Sequence, residues 1–281
     1  MNFLRSLPSP LFQILRAART GLLRLLGPID RLSRTFSWRR RLPPLWLRRH
    51  SAPFGVFSSA SREFDELLRP LGLLQPDDLV LDVGCGAGSI VPALARQLGD
   101  SGRYIGVDRH SPSIRWCRSA FRADQRLRFE CVAAGAPFPV EDGAAGLVLV
   151  RSVFTHVRER EARRLFQEIR RVLAPGRKAV VTALLFEKGE SEALCEQDFP
   201  FAAEDGEERW RWKAQPESGV AFERGRFLRI LAESGLRVDW FVAGFWPGEK
   251  KPRGQDLLFL SYGAGLARIG APPILPAAKM E

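Results

Sequence analysis

The chain is poor in cysteine and histidine and has no long apolar run. Its four cysteines, Cys85, Cys117, Cys131 and Cys195, show no paired CxxC spacing. That pattern excludes a zinc ribbon and a disulfide framework, and it suits a reducing compartment, so the expected location is the cytoplasm. No stretch reaches the roughly 18 consecutive apolar residues that a membrane-spanning helix needs. Pro8, Pro10 and the early arginines argue against a secretory leader. There is no internal repeat. Acid is scarce in one region above all: residues 1–50 contain eleven arginines and a single acid, Asp30, a local charge of +10 out of +11 for the whole chain. The other 231 residues therefore carry only +1.

What is present suits a globular protein of one or two domains, with 281 residues, 45% hydrophobic and 27% charged. The first fifty residues form a basic arm. Leu11, Phe12, Leu15, Ala18, Leu22, Leu25 and Leu26 recur at helical spacing, with Arg16, Arg19 and Arg24 between them. Four readings of this arm stay open: a helix packed on the rest of the chain or fraying in solvent, a helix lying on an anionic membrane surface, a mitochondrial transit segment, or a nucleic-acid contact. The last is not expected, because the rest of the chain is nearly neutral and the arm offers few aromatic side chains for stacking. Pro43, Pro44 and Pro53 mark the passage out of the arm.

The most informative stretch is Val80-Leu-Asp-Val-Gly-Cys-Gly-Ala-Gly-Ser89. Val80, Leu81 and Val83 suit a buried parallel strand, Gly84, Gly86 and Gly88 a tight turn, and Ile90, Leu94 and Leu98 the helix that follows. Such a turn brings backbone close to a polar or anionic ligand. Asp82 lies two residues before the first glycine, where it can meet a cation. Arg103 to Asp108 reads as a second strand ending in an acid about twenty residues past the glycines, the separation expected of a ribose-binding carboxylate. A helix N-cap is the other reading of Asp108, although Ser111 and Ser113 can also serve there. The third glycine comes one residue too early for a dinucleotide fingerprint. Further strands are expected near 127–132, 146–151 and 177–185, alternating with helices such as Arg160 to Val172. That alternation implies a parallel sheet covered on both faces. Glu187 to Gly219 reads as an irregular acidic loop. A helix near 222–234 and two strands, Leu236–Phe245 and Asp256–Tyr262, come last.

Taken in order, the glycine segment, Tyr104-Ile-Gly-Val-Asp108, Ile114-Arg-Trp-Cys117, Pro137-Phe-Pro139, Ser152-Val-Phe-Thr-His156, Glu168 to Gly176, Gly244 to Gly248 and Gln255-Asp256 resemble a bacterial branch of the class I S-adenosylmethionine-dependent methyltransferases, marked by Ser-Val-Phe-Thr-His after the fourth strand. The resemblance runs from about Leu42 to Tyr262. It implies a Rossmann-like, seven-stranded, mostly parallel sheet with a reversed last strand and helices on both faces. The domains would be a basic arm over 1–50, the methyltransferase domain over 51–264 and a flexible tail over 265–281. The implied cofactor is S-adenosyl-L-methionine, held by Asp82, Gly84, Cys85, Gly86, Gly88, Asp108, Arg109, Ala133, Ala134 and Arg151, with Asp82 at the methionine end. No metal is expected.

Three departures stand out. Cys131-Val-Ala-Ala-Gly135 lacks the acid that many relatives place near the adenine amine, so backbone amides around Ala133 to Gly135 would take that role. Ala145-Gly146 replaces the usual Phe-Asp, and Pro175-Gly176-Arg177 the usual Pro-Gly-Gly; these are expected to change packing more than chemistry.

His156, just past the fourth strand, is the candidate catalytic base, since imidazole titrates near neutral pH. The alternative is a cap for the helix beginning near Arg158. Ser152 and Thr155 can orient a hydroxyl or serve as turn residues, and Arg151 can meet an anion or extend into solvent. His50 and His110 are weaker candidates. Trp210, Trp212 and Trp246 are candidates for an acceptor pocket, and Phe241 reads as core. Neither Asn-Pro-Pro-Tyr nor Asp-Pro-Pro-Tyr occurs, which removes the pattern for methylating the exocyclic amine of a base, and no cysteine is placed as a pyrimidine nucleophile. The expected function is methyl transfer to a small-molecule or lipid-linked acceptor, most simply at oxygen, with a peripheral membrane contact through residues 1–50 as an accompanying expectation. The alternatives are a non-catalytic binding protein of the same fold, a nucleotide-dependent oxidoreductase, and a nucleic-acid methyltransferase that uses the arm.

Overall fold

The structure, a computed structural model, describes residues 18, 21–22, 25–30, 42–51, 56–187, 203–205, 208–210, 219–244 and 255–263. Cys195, Trp212, Trp246 and the tail over 265–281 lie outside the described residues, as does most of the arm.

The glycine motif falls where its pattern placed it. Strand β1 (Leu79–Val83) leads through the turn to helix α3 (Val91–Gln97), after α1 (Leu45–Ser51) and α2 (Val56–Leu68). Then come β2 (Arg103–Asp108), α4 (Ser111–Ala120), β3 (Leu127–Cys131), β4 (Ala145–Val150), a 3-10 turn (Phe154–His156), α5 (Glu159–Val172) and β5 (Leu173–Ala183). The chain continues through β6 (Leu185–Phe186), β7 (Ala203–Asp205), β8 (Glu208–Trp210), β9 (Val220–Glu223), α6 (Arg224–Glu233), β10 (Arg237–Val242) and β11 (Asp256–Ser261).

Seven strands form one sheet in the order β10-β11-β5-β4-β1-β2-β3. Only β11 is reversed, pairing antiparallel with both β10 and β5. Because side chains alternate along a strand, the central strands feed two cores. Leu81, Val83, Val148, Val150, Ala179 and Val181 face one side, packed with α5 and α6 residues such as Phe166, Ile169 and Phe227. Val80, Leu147, Leu149 and Val180 face the other, against Phe64, Ile90, Leu94 and Ile114. This double coverage explains why these strands read as continuous apolar runs.

One expectation is corrected. The stretch from Glu187 to Gly219 is not simply an irregular loop, since β7 and β8 within it join β6 and β9 in a second sheet, ordered β6-β9-β8-β7. Glu208 of β8 is buried, and it accepts hydrogen bonds from Arg158 Nε at 3.0 Å and from the Glu159 backbone N–H at 2.5 Å. A carboxylate from the second sheet thus caps the first turn of α5, where the helix dipole favours negative charge.

The expected boundary at residue 50 falls inside α1. Leu47 is buried against Phe57 and Ala87, and Leu42, Trp46 and Trp116 pack beside them. This small cluster joins the end of the arm to the glycine turn.

Candidate cofactor and acceptor site

The glycine turn is pinned to the neighbouring strand. Gly84 N–H and Cys85 N–H both donate to the Val107 carbonyl, at 2.8 and 3.1 Å. Gly84 has φ 75°, and a Cβ there would overlap the Val153 Cγ2 methyl, so both backbone and space require glycine. Gly88 has φ 80°, and a Cβ there would overlap Phe121 at the end of α4, so the turn packs closely on that helix.

Asp108 closes the turn. Its Oδ2 accepts from Gly86 N–H at 2.8 Å and its Oδ1 from His110 N–H at 2.7 Å. Each oxygen retains accepting capacity, so the fixed carboxylate matches the paired hydroxyls of a ribose. The N-cap reading of Asp108 is realised only as this backbone contact: His110 occupies the cap position of α4, and its Nδ1 lies 2.7 Å from Ser113 Oγ.

Asp82 is buried at the tip of β1, where Tyr104 Oη donates to its Oδ2 at 2.7 Å. Burial pushes its pKa up to about 6, although the Tyr104 hydrogen bond and the nearby Arg151 charge pull it down. A buried carboxylate that ionises with difficulty is suited to a cationic partner. Burial also pushes the thiols up, Cys117 to about 12 and Cys85 well above the ordinary range, so both are neutral and Cys85 offers the site only its backbone.

Arg151 does not extend fully into solvent. It is half-buried, donates to Ser89 Oγ and sits 5.8 Å from the Phe64 ring centroid. It therefore bridges the end of β4 to the glycine turn. Arg109 is exposed beyond β2. Ala133 and Ala134 are exposed in the turn after β3, where Val132 N–H donates to the Asp108 carbonyl at 3.1 Å. That contact puts the Ala133 turn beside Asp108 on the same sheet edge.

A polar network supports the segment after β4, and the sequence reading missed its centre. Ser152 adopts φ 56°, a left-handed conformation rare outside glycine and costing about 1–3 kcal/mol. Its N–H donates to Thr182 Oγ1 at 2.8 Å, and Gln255 Nε2 donates to its Oγ at 2.9 Å. Thr182 Oγ1 in turn donates to Gln255 Oε1 at 2.5 Å. Thr182 carried no local signal, because its partners lie 30 and 73 positions away.

Thr155 acts as a turn group, its Oγ1 donating to the Ser152 carbonyl at 2.9 Å. Phe154 is fully buried and stacks on Phe166 at 4.7 Å between centroids, with Phe227 edge-on at 5.3 Å. These contacts hold the backbone that carries His156, which is itself exposed at the end of the 3-10 turn. Phe241 packs against the core, with the Arg224 guanidinium over its ring. The side chains of His50 and Trp210 lie outside the described residues. Among the described residues, no cluster of three or more His, Cys, Asp or Glu could hold a metal ion.

Residues 80–176 match the family described as Methyltransferase domain. The seven-stranded sheet with its reversed strand is the Rossmann-like class I methyltransferase fold. The donor set fits S-adenosylmethionine: a carboxylate fixed at the tip of β2 and a buried acid at the tip of β1. The fold is shared with a SAM-dependent methyltransferase from Methanosarcina mazei (19% identity, TM-score 0.53, covering 68% of this chain and 95% of that one). It is shared too with the geranyl diphosphate methyltransferase solved with geranyl diphosphate and sinefungin (18% identity, TM-score 0.51, covering 73% and 78%). Among curated proteins, an uncharacterized 37.1 kDa protein in transposon TN4556 of Streptomyces fradiae is 29% identical over 44% of this chain and 35% of its own length. The ribosomal RNA large subunit methyltransferase E of Stenotrophomonas maltophilia strain K279a is 37% identical over 22% of this chain and 34% of its own length. The chain thus spans about a third of the curated relatives it matches.

Proposed function

We propose that this protein transfers a methyl group from S-adenosylmethionine to the oxygen of a small-molecule or lipid-linked acceptor. The observation that carries the cofactor half of the proposal is the pair of carboxylates, Asp82 and Asp108, at the tips of adjacent parallel strands with the glycine turn between them. In open α/β sheets this edge is where ligands bind.

When bound, the cofactor supplies an electrophilic methyl group on a sulfonium. The chain's own work is to position and to move a proton. Asp108, held by two backbone amides, accepts from ribose hydroxyls; Asp82 faces the cationic end; Arg151, tied to Ser89, keeps the end of β4 in register with the turn. His156 takes the proton of an acceptor hydroxyl. The aromatic cluster around Phe154 and the Ser152–Thr182–Gln255 network fix the backbone from which it reaches. Positioning supplies most of the acceleration, and base assistance adds about 10²–10⁴-fold.

The test is calorimetric titration of S-adenosylhomocysteine into the protein and an Asp108→Ala variant, followed by a screen of hydroxylated acceptors with labelled donor. Micromolar binding that the variant loses, with label entering an alkali-stable small product, is the expected result. Binding without transfer to any acceptor class would favour the non-catalytic reading, which the exposed, acid-free turn at Ala133–Gly135 supports. Label in polynucleotide would favour the nucleic-acid reading, which the match to the ribosomal RNA methyltransferase supports.

A further inference from the structure

Among the described residues, the large apolar side chains that stand exposed all belong to one short stretch of the arm: Leu22 at 60%, Leu25 at 77%, Leu26 at 40% and Ile29 at 69%. Residues 25 and 27–30 are helical, and positions 22, 25, 26 and 29 follow the i, i+3, i+4, i+7 spacing of one helix face. An aliphatic face of this kind is costly in water and marks a contact surface. The charge around it selects the partner, since residues 1–50 carry eleven arginines against Asp30 alone.

Asp30 is also committed. It is buried; its Oδ2 accepts from Leu45 N–H at 3.1 Å, and its Oδ1 pairs with Arg48 Nη2 at 2.5 Å. The one acid of the arm therefore locks the stripe's helix to α1. Through Leu47 and Trp46, α1 packs on Ala87 of the glycine turn, and Trp46 meets the His110 ring edge-on at 6.4 Å between centroids. The stripe is thus tied to the ligand-binding edge of the sheet.

We infer that this stripe docks on an anionic phospholipid bilayer, with Leu22, Leu25, Leu26 and Ile29 entering the acyl boundary and the arm's arginines meeting lipid phosphates. A second copy of the chain is a poor occupant, because two arms of +10 repel. Nucleic acid would satisfy the arginines but gives aliphatic side chains nothing to stack on. The inference does not rest on the methyl-transfer reading; docking is a property of the arm that holds whatever the site binds.

The test is flotation of the full chain with vesicles of equal phosphatidylglycerol and phosphatidylcholine, beside vesicles of phosphatidylcholine alone. Binding to the mixed vesicles, at least about tenfold tighter than to the neutral ones, is expected. The deciding variant is Leu25→Lys/Ile29→Lys, which adds two positive charges while removing the two most exposed members of the stripe. Apolar docking predicts a loss of about tenfold or more for this variant. Equal or tighter binding would show that charge alone acts, and would overturn the inference. So would failure of the wild type to float, or displacement of the protein from the mixed vesicles by equimolar polyuridylate. Both substituted side chains are exposed, so the variant should fold. Leu22→Lys provides the same reading should it not. S-adenosylhomocysteine titration of the same preparations reports on the site separately, so failure of one idea is not mistaken for failure of the other.

Discussion

The ionisation of Asp82 should set how cofactor affinity depends on pH. Burial pushes this carboxyl from 3.8 up to about 6 in the ligand-free protein. Between those values the folded chain holds a proton that the unfolded chain has lost. The group's contribution to stability therefore falls as pH rises from about 4 through about 6, and is constant above. A shift of that size corresponds to about 3 kcal/mol. Asp82→Asn keeps an acceptor for the Tyr104 hydroxyl but has no charge to desolvate, so its ligand-free form should melt higher than the wild type at pH 8 and about equally at pH 4. The ligand reverses the preference. Pairing with the ammonium of the methionine end requires the ionised carboxylate, of which only about a tenth is present at pH 5. Affinity for S-adenosylhomocysteine should then drop about tenfold from pH 7 to pH 5. The asparagine variant should bind more weakly at pH 7, with little change across the window. Calorimetric titration of both proteins from pH 5 to pH 7 decides the matter. A flat wild-type profile, or the same slope in both proteins, would refute this account of Asp82.

Three further outcomes follow from the geometry. His156→Ala should cut turnover by about 10²–10⁴-fold while leaving S-adenosylhomocysteine affinity within a factor of a few, as steady-state kinetics and calorimetry would report; equal loss of both would assign His156 a structural role. Glu208→Gln keeps the shape but removes the charge that caps α5 and meets Arg158, and should cost about 1–3 kcal/mol in denaturant unfolding. Gly146→Ala drives a methyl into the Asp78 carboxylate and should lower the melting temperature sharply without changing the cofactor affinity of the fraction that remains folded.

The strand-turn-helix and the six strands around it were legible because each has a local cause: an apolar run of about five residues, a glycine turn, a helix at period 3.6. Asp108 was legible for the same reason, since its distance from the glycines is nearly fixed by one βαβ unit. The second sheet was not. β7 and β8 have three residues each, and the burial of Glu208 depends on a helix N-terminus 49 positions earlier in the chain. No window of sequence contains both partners. Ser152 could be singled out, but its left-handed backbone could not be foreseen, because the groups that hold it come from β5 and from Gln255 just before β11. Arg151 presented the same difficulty: its charge was visible and its partners, Ser89 and Phe64, were not.

The three departures from the family pattern separate by position in the sheet. Arg177 donates to the Gly146 carbonyl and pairs with Asp78, whose Oδ2 also accepts from Gln75 N–H at 2.7 Å. A side chain at position 146 would occupy the space of that Asp78 carboxylate. Gly146 and Arg177 thus meet at one place, where the ion pair between Asp78 and Arg177 fills the space beside the start of β4. All of this lies at the amino-terminal edge of the sheet, opposite the tips that carry Asp82 and Asp108, so it bears on packing and leaves the ligand edge untouched. The acid-free turn at Ala133–Gly135 lies on the carboxyl-terminal edge, tied to Asp108 through Val132. Any functional divergence of this chain should therefore be sought at that turn.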